Sequence, residues 1–193
     1  MQRRISIALA LAVLAAVAVP APAAAQEPEL PFTLVANGFA QGAAISGAGR
    51  VTLLVSRWST TAEGDELERI LLAEGPKAMT EALRKLPEVG RARIDTELGY
   101  GLRFAEYNDL GNGQYRLFLA TDRDIDMFEQ YYQTRSVDYD LTLIELVYDS
   151  NENTGAGVVA AGVKISFDEA NDRLIIEDFD IQPVKLRNVR ASR

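Results

Sequence analysis

Three aspartates at alternating positions are the residues whose spacing most directly suggests chemistry. Asp122, Asp124 and Asp126 are separated by single residues, and carboxylates at positions 1, 3 and 5 of a loop can converge on a hard cation such as calcium. The remainder of an EF-hand loop is missing, because Met127 occupies the position of its glycine and Gln133 that of its bidentate glutamate. We therefore expect an acidic turn exposed to solvent, with a calcium site at the three aspartates as the alternative.

The same spacing recurs at Asp149, Asn151 and Asn153, ahead of Gly155. Asp, Asn and Gly are the residues that polar hairpin turns use. The last ligand position of a calcium loop would fall on Ala160, which has no side-chain oxygen. This segment therefore predicts a hairpin turn, with calcium binding as the alternative.

The chain contains neither histidine nor cysteine. This excludes Ser-His-Asp and Cys-His nucleophilic catalysis and histidine-ligated zinc, and it leaves no disulfide to support the fold. A carboxylate-dependent hydrolase remains open, and Glu145 is its most distinctive candidate because it interrupts an apolar stretch at 143–147. The alternative for Glu145 is an outward-facing residue at a β-bulge. The sequence assigns no catalytic residue and no cofactor.

Basic side chains gather in two places. Arg91 and Arg93 share one face of a predicted strand, with Arg103 on a following strand, and guanidinium groups suit carboxylate or phosphate ligands. The C-terminal end is also basic, through Lys185, Arg187, Arg190 and Arg193. We interpret the first group as a solvated charged face. The second either pairs with an acidic neighbouring strand or docks a partner.

Nine of the fourteen Phe and Tyr residues lie between Tyr100 and Tyr139. Aromatic clusters can bind sugars or line an apolar cavity, but on strands they more often fill a β core. We therefore assign these residues to the core. Trp58 directly precedes a predicted helix cap, and we expect it to pack the helices against the sheet.

An αα-hairpin is predicted at about 62–86. Thr60 and Glu63 have the spacing of a capping box, and apolar residues follow at helical intervals up to Ala73. Gly75 and Pro76 are typical of the end of one helix and the start of the next.

The rest of the chain predicts strands, with a small-residue loop at 41–49. The predicted strands cover 32–39, 50–58, 89–95, 100–108, 114–121, 139–148, 159–167, 173–181 and 184–190. The strand at 159–167 alternates most regularly, whereas 139–148 changes phase, which predicts a bulge near Ile144 and Glu145. Strands that follow strands favour antiparallel pairing. The fold class is therefore α+β, mainly β: an antiparallel β-sandwich or partly closed barrel of about eight to nine strands, with the helical hairpin inserted after strand 2.

The N-terminal residues 1–25 have the features of a secretory signal peptide. Arg3 and Arg4 precede an apolar run at 5–19, and three alanines precede Gln26. We therefore expect this leader to be cleaved. The predicted mature protein is a single β-rich domain at 26–193 that is secreted or periplasmic and has no membrane span.

The predicted mature chain is acidic. The leader holds two of the 20 basic residues and none of the 28 acidic ones, which leaves 18 against 28 and a formal charge of −10. Such a charge repels nucleic acid and anionic lipid. We therefore expect the partner to be an unknown protein or small molecule and not a nucleic acid.

Five short strings lie along the predicted mature chain. They are Trp58-Ser59-Thr60, Val89-Gly90-Arg91, Thr121-Asp122-Arg123, Ile144-Glu145-Leu146 and Asn188-Val189-Arg190. Together they resemble an uncharacterised family of small exported bacterial proteins with no established activity. The resemblance implies a bacterial, exported, single-domain protein and brings no catalytic or ligand residues with it.

These observations favour a soluble, exported, non-enzymatic binding or structural domain, because the usual catalytic residue types are absent. One alternative is a carrier of a small apolar ligand in a β-barrel or inter-sheet cavity. Another is the carboxylate-dependent hydrolase. The helical hairpin is a candidate binding element in its own right, because function is often carried by segments inserted between strands.

Overall fold

The computed structural model describes residues 28–41, 46–95, 99–122, 141–161, 164–168, 173–177 and 183–192. Within these ranges the chain forms ten strands and two helices. The strands are β1 (Phe32–Gln41), β2 (Ser46–Val55), β3 (Gly90–Ile94), β4 (Tyr100–Gly111), β5 (Gln114–Thr121), β6 (Thr142–Asp149), β7 (Thr154–Ala161), β8 (Lys164–Asp168), β9 (Arg173–Glu177) and β10 (Val184–Ala191). The helices are α1 (Thr61–Glu74) and α2 (Pro76–Lys85).

Eight strands form a closed antiparallel barrel in the order β1-β10-β7-β6-β5-β4-β3-β2. The ring closes where β1 pairs with β10, and Val35 lies opposite Arg190 there. The predicted mainly β, antiparallel fold with a helical hairpin after the second strand is confirmed. Of the two alternatives, the sandwich is wrong and the barrel is the observed architecture, and the barrel is closed completely and not partly.

The predicted single strand at 159–167 is also wrong. β7 ends at Ala161 and stays in the barrel, whereas β8 begins at Lys164 and pairs only with β9 in a separate two-stranded sheet. Alternation has the same period in both sheets. The alternating sequence at 159–167 therefore does not show that β7 ends and β8 begins within it.

The barrel interior is filled by apolar side chains. Leu53, Leu102, Leu117 and Ile144 belong to one buried cluster and have at most 1% of their surface exposed. Tyr100 and Tyr115 are members of the same cluster. An eight-stranded barrel is just wide enough for its inward side chains to fill it, so the interior is the main core of the fold.

A β-bulge in β4 divides this interior from a second core outside the barrel. The pairing of β4 with β5 shifts register between Leu102 and Phe104, which leaves Leu102 inside and turns Phe104 outward. Phe104 packs there with Leu71 of α1 and with Met79 and Leu83 of α2. The helical hairpin therefore covers the outer face of β4 and its neighbours.

β6 has two apolar phases because it contributes side chains to both of these cores. Leu143 belongs to the outer cluster under the helices, whereas Ile144 and Leu146 belong to the interior. β6 pairs with β5 and β7 without any shift of register. The predicted bulge near Ile144 and Glu145 is therefore wrong, because the phase change reflects two buried faces of one regular strand.

The helices begin and end where the sequence predicts. The Thr60 hydroxyl accepts a hydrogen bond from the Glu63 N–H at 3.2 Å, and the Glu63 carboxylate accepts one from the Thr60 N–H at 2.8 Å. Gly75, with a φ of 87°, ends α1, and Pro76 is the first residue of α2. Within the described ranges, no helix has both the length and the apolar character that crossing a membrane requires.

Candidate functional site

A cleft of about 700 Å³ lies on the outside of the barrel, between the first half of α1 and β4. It is lined by three aromatic residues, three carboxylates and the polar residues that precede α1. Its volume is within the range of small-molecule sites in proteins. We refer to it below as the α1–β4 cleft.

The segment before α1 forms one wall of the cleft because it takes over an edge of β4. β3 pairs with β4 only as far as Leu102. Beyond that point, the Ser59 N–H donates to the Ala105 carbonyl at 2.7 Å, and the Ser59 hydroxyl accepts from the Ala105 N–H at 3.1 Å. These two bonds hold residues 58–60 beside β4 and fix where α1 begins.

Aromatic rings form the floor and one side of the cleft. The centroids of the Trp58 and Tyr107 rings are 5.0 Å apart, and Phe32 extends the cluster with its centroid 6.4 Å from that of Trp58. Phe104 lies under α1 at Gly64, where an added Cβ would be 3.7 Å from its ring. Trp58 packs against the barrel core and also lines the cleft between α1 and β4, and its expected role of packing the helices against the sheet stays a prediction.

Three carboxylates line the same cleft as these rings. Asp65 and Glu68 are one turn apart on α1, and Glu106 lies on the outward face of β4. No lysine or arginine is among the residues that line the cleft. The formal charge of the lining residues is therefore negative, and a cationic group next to carboxylates and aromatic faces is favoured there.

An ion pair behind the cleft positions α1. The Arg57 guanidinium donates to both carboxylate oxygens of Glu63, at 2.9 and 2.8 Å. These bonds, followed by the one from the Thr60 N–H, lower the pKa of Glu63 to about 2. Because the pair is bidentate, it fixes the first turn of α1 relative to the chain that leaves β2.

The predicted calcium candidates are only partly described. Asp122 receives a hydrogen bond from the Arg103 guanidinium at 2.9 Å, whereas Asp124 and Asp126 lie outside the described residues. The second segment forms a hairpin turn, in which the Asp149 carboxylate accepts from the Asn151 N–H at 2.9 Å. A hydrogen bond from Gln114 is the largest influence that lowers the pKa of Asp149, and backbone N–H groups add to it. Among the described residues, no group of three or more acidic side chains is arranged to hold a metal ion.

Glu145 faces outward from β6. Half of its side chain is exposed (50%), and one carboxylate oxygen lies 3.6 Å from the Arg116 guanidinium on β5. The flanking apolar residues face the barrel interior or the helices, so Glu145 is a regular outward position. This is the structural alternative that the sequence left open for Glu145, without the bulge.

The three arginines that the sequence grouped do not share one site. Arg91 and Arg93 lie side by side on the outside of β3, and Arg91 forms an ion pair with Glu88 at 3.1 Å. Arg103 bonds to Asp122 and to the Leu86 carbonyl. Lys185, Arg187 and Arg190 of β10 face outward on the side of the barrel next to β1, whereas Arg193 lies outside the described residues.

Sequence reasoning missed the carboxylates of the α1–β4 cleft. Asp65 and Glu68 are two among many acidic residues of a helix surface, and Glu106 is one of two carboxylates on its strand. The available signal was Trp58, an aromatic residue placed between a strand and a helix cap. Comparisons with family models, with curated proteins and with solved structures gave no match for this chain.

Proposed function

We propose that this chain is an exported, non-enzymatic binding domain whose α1–β4 cleft takes a cationic ligand with an apolar portion. The observation that carries the proposal is the placement of Asp65, Glu68 and Glu106 around the rings of Trp58 and Tyr107 in one cleft. An organic amine or a basic side chain of a peptide has this chemistry.

Two attractions would act on such a ligand together. A cation above an indole or phenol ring is attracted by the electrons of the ring face, and the carboxylates stabilise the same charge. The apolar portion would cover the floor at Phe104. A volume of about 700 Å³ suits a ligand of small-molecule size or a few peptide residues.

The cleft supports this proposal better than the barrel interior supports an apolar carrier. The inward side chains of the barrel, such as Leu117 and Ile144, are fully buried against one another. Opening room for a ligand there would separate packed core residues, whereas the cleft already exists outside. The exposed, ion-paired Glu145 gives no support to a hydrolase.

Export is the second part of the proposal. It rests on the predicted leader at 1–25 and on the resemblance to small exported bacterial proteins, because the leader lies outside the described residues. Sequencing the N-terminus of the protein from the periplasm or medium of an expressing bacterium should show a chain that starts near Gln26. An intact N-terminus in that fraction would contradict it.

Trp58 is the only tryptophan of the chain, so its fluorescence reports directly on the cleft. We expect titration with hexyltrimethylammonium, below the concentration at which it forms micelles, to change this fluorescence with saturation. Hexanesulfonate, an anion with the same apolar chain, should not. The double variant Asp65→Asn/Glu68→Gln should bind the cation roughly tenfold more weakly, since each exposed charge contributes up to about 1 kcal/mol.

Glu74→Gln/Glu81→Gln is the matched control. It removes the same charge from the helical hairpin at two exposed positions that do not line the cleft, and it should bind as the wild type does. Equal responses to the cation and the anion, or equal affinities of the two double variants, would contradict the proposed function.

A further inference from the structure

The cations of the barrel wall are concentrated on one half of the barrel. The neighbouring strands β10, β1, β2 and β3 carry six basic residues and no carboxylate. These residues are Arg50, Arg91, Arg93, Lys185, Arg187 and Arg190, and we call them the basic wall. The other four barrel strands carry two arginines and four carboxylates. The described barrel strands of this acidic chain thus have one strongly basic side.

The basic wall is continuous across the four strands. Asn37 of β1 lies between Arg187 on one side and Arg50 on the other, which sets these two arginines roughly 10 Å apart at the usual strand spacing. In the next row, Val35 and Thr52 separate Arg190 from Arg93, a span of roughly 14 Å. Five of the six basic residues are exposed and Arg91 is half-buried, so the basic side chains project into solvent.

Most of this charge is not neutralised by the described part of the chain. Arg91 is paired with Glu88, whereas the other five residues of the basic wall are exposed and form no ion pair with a described carboxylate. One further carboxylate, Asp95, follows β3 and accepts a hydrogen bond from the Arg50 backbone N–H at 2.9 Å. Among the described residues, the wall therefore has more basic groups than carboxylates.

An aromatic ring stands within this charged surface. Phe39 lies opposite Lys185, and the Arg187 guanidinium carbon is 5.8 Å from the centre of its ring. Phe39 is 37% exposed, and among the described residues of these four strands it is the one large apolar side chain that is exposed. Aromatic side chains among cations are typical of surfaces that meet lipid headgroups, where the ring enters the interfacial layer.

We propose that the basic wall docks this protein on the surface of an anionic lipid bilayer, a role independent of the α1–β4 cleft. The outer wall of a barrel is convex and offers no groove to follow a polyanionic polymer, whereas a fluid layer of lipid phosphates adapts to it. The acidic helical hairpin does not prevent docking. It packs against the outer faces of β4, β5 and β6, which are not strands of the basic wall, and salt largely screens exposed charges beyond about 8 Å.

Sedimentation with phospholipid vesicles tests this proposal. We expect the purified chain to partition onto phosphatidylcholine vesicles that contain about one third phosphatidylglycerol, and less onto phosphatidylcholine alone, in about 0.1 M salt. Arg50→Glu/Arg187→Glu should lower the partition onto anionic vesicles by roughly 25-fold or more, because each cation near such a surface contributes roughly fivefold. Phe39→Ser should weaken it by a smaller factor.

Lys77→Glu/Lys85→Glu is the matched control, with the same change of net charge on exposed positions of α2. It should partition as the wild type does, and circular dichroism melting should show that both double variants fold. Equal partition onto anionic and neutral vesicles would overturn the proposal, as would equal losses in both double variants. Binding to soluble polyglutamate through the same arginines, without binding to anionic vesicles, would indicate a macromolecular partner and would also overturn it.

Discussion

Replacing Glu63 by Gln should destabilise the fold at neutral pH and have no effect in strong acid. Gln keeps the shape of the side chain and is accepted at the same position of a capping box, so the substitution isolates the charge that Arg57 holds. The pKa of the Glu63 carboxyl falls from 4.5 to about 2 in the folded protein. A change of this size corresponds to at most ~3 kcal/mol of stabilisation.

The expected loss is smaller than this limit because both partners contact water. The side chains of Arg57 and Glu63 are 34% and 19% exposed, and solvent screens part of their attraction. We therefore expect Glu63→Gln to reduce the free energy of unfolding at pH 7 by about 1–2 kcal/mol. Urea denaturation followed by far-ultraviolet circular dichroism measures this difference.

The stabilisation by the Glu63 carboxylate depends on pH, and the direction of the pKa change fixes the direction of this dependence. Because folding lowers the pKa of Glu63, the stabilisation is complete above pH 4.5 and is lost as the pH falls toward about 2. Wild type and Glu63→Gln should therefore converge in acid. Glu66→Gln is the control, since its ion pair with Arg69 is formed by two exposed side chains, and it should be indistinguishable from wild type. Equal free energies of unfolding for wild type and Glu63→Gln at pH 7 would refute the reasoning. A difference between them that persists unchanged at pH 2 would also refute it.

Three further substitutions, one of them with a matched control, test the packing around the cleft and the barrel. Leu83→Ala removes a side chain that is 1% exposed and should lower the free energy of unfolding by about 2–4 kcal/mol. Its control is Leu72→Ala, at a position 46% exposed, which should change the free energy of unfolding by less than about 0.5 kcal/mol. Equal effects of the two substitutions in urea denaturation would contradict the packing of α2. Gly64→Ala should stabilise the protein by about 0.5–1 kcal/mol in the same assay, because alanine favours a helix more than glycine does. The added Cβ would lie 3.7 Å from the Phe104 ring, which is an ordinary contact. A loss of stability would contradict this geometry. Gly157→Ala introduces a Cβ that clashes with a backbone carbonyl of β6. The substitution should therefore lower the melting temperature by more than about 10 °C or prevent folding. An unchanged melting temperature would contradict the pairing of β6 with β7.

Local features of the fold could be predicted from the sequence because their causes are local. The strand at 114–121 was predicted with the bounds that β5 has, since turn residues flank a short alternating run. The helical hairpin was predicted for a similar reason, as the capping box and the Gly75-Pro76 pair act within a few residues. Such signals depend only on neighbouring side chains.

The features that were missed depend on distant parts of the chain. Closure of the barrel requires β1 to pair with β10, and alternation states only that each strand has a buried face. The two apolar faces of β6 produce the same change of phase in the sequence as a bulge would. The second face is apolar because helices from elsewhere in the chain cover it. The α1–β4 cleft escaped prediction since the carboxylates that define it come from two elements brought together by the fold.

A residue-resolved titration tests the central claim of a binding cleft outside a filled barrel most directly. In ¹⁵N-labelled protein titrated with hexyltrimethylammonium, we expect amide shifts at Ser59, Gly64 and Tyr107, which line the cleft. The amides of Leu117 and Leu186, which belong to the barrel interior, should stay unchanged. Saturable shifts confined to the barrel interior would contradict the account, and so would the absence of any saturable shift in the cleft.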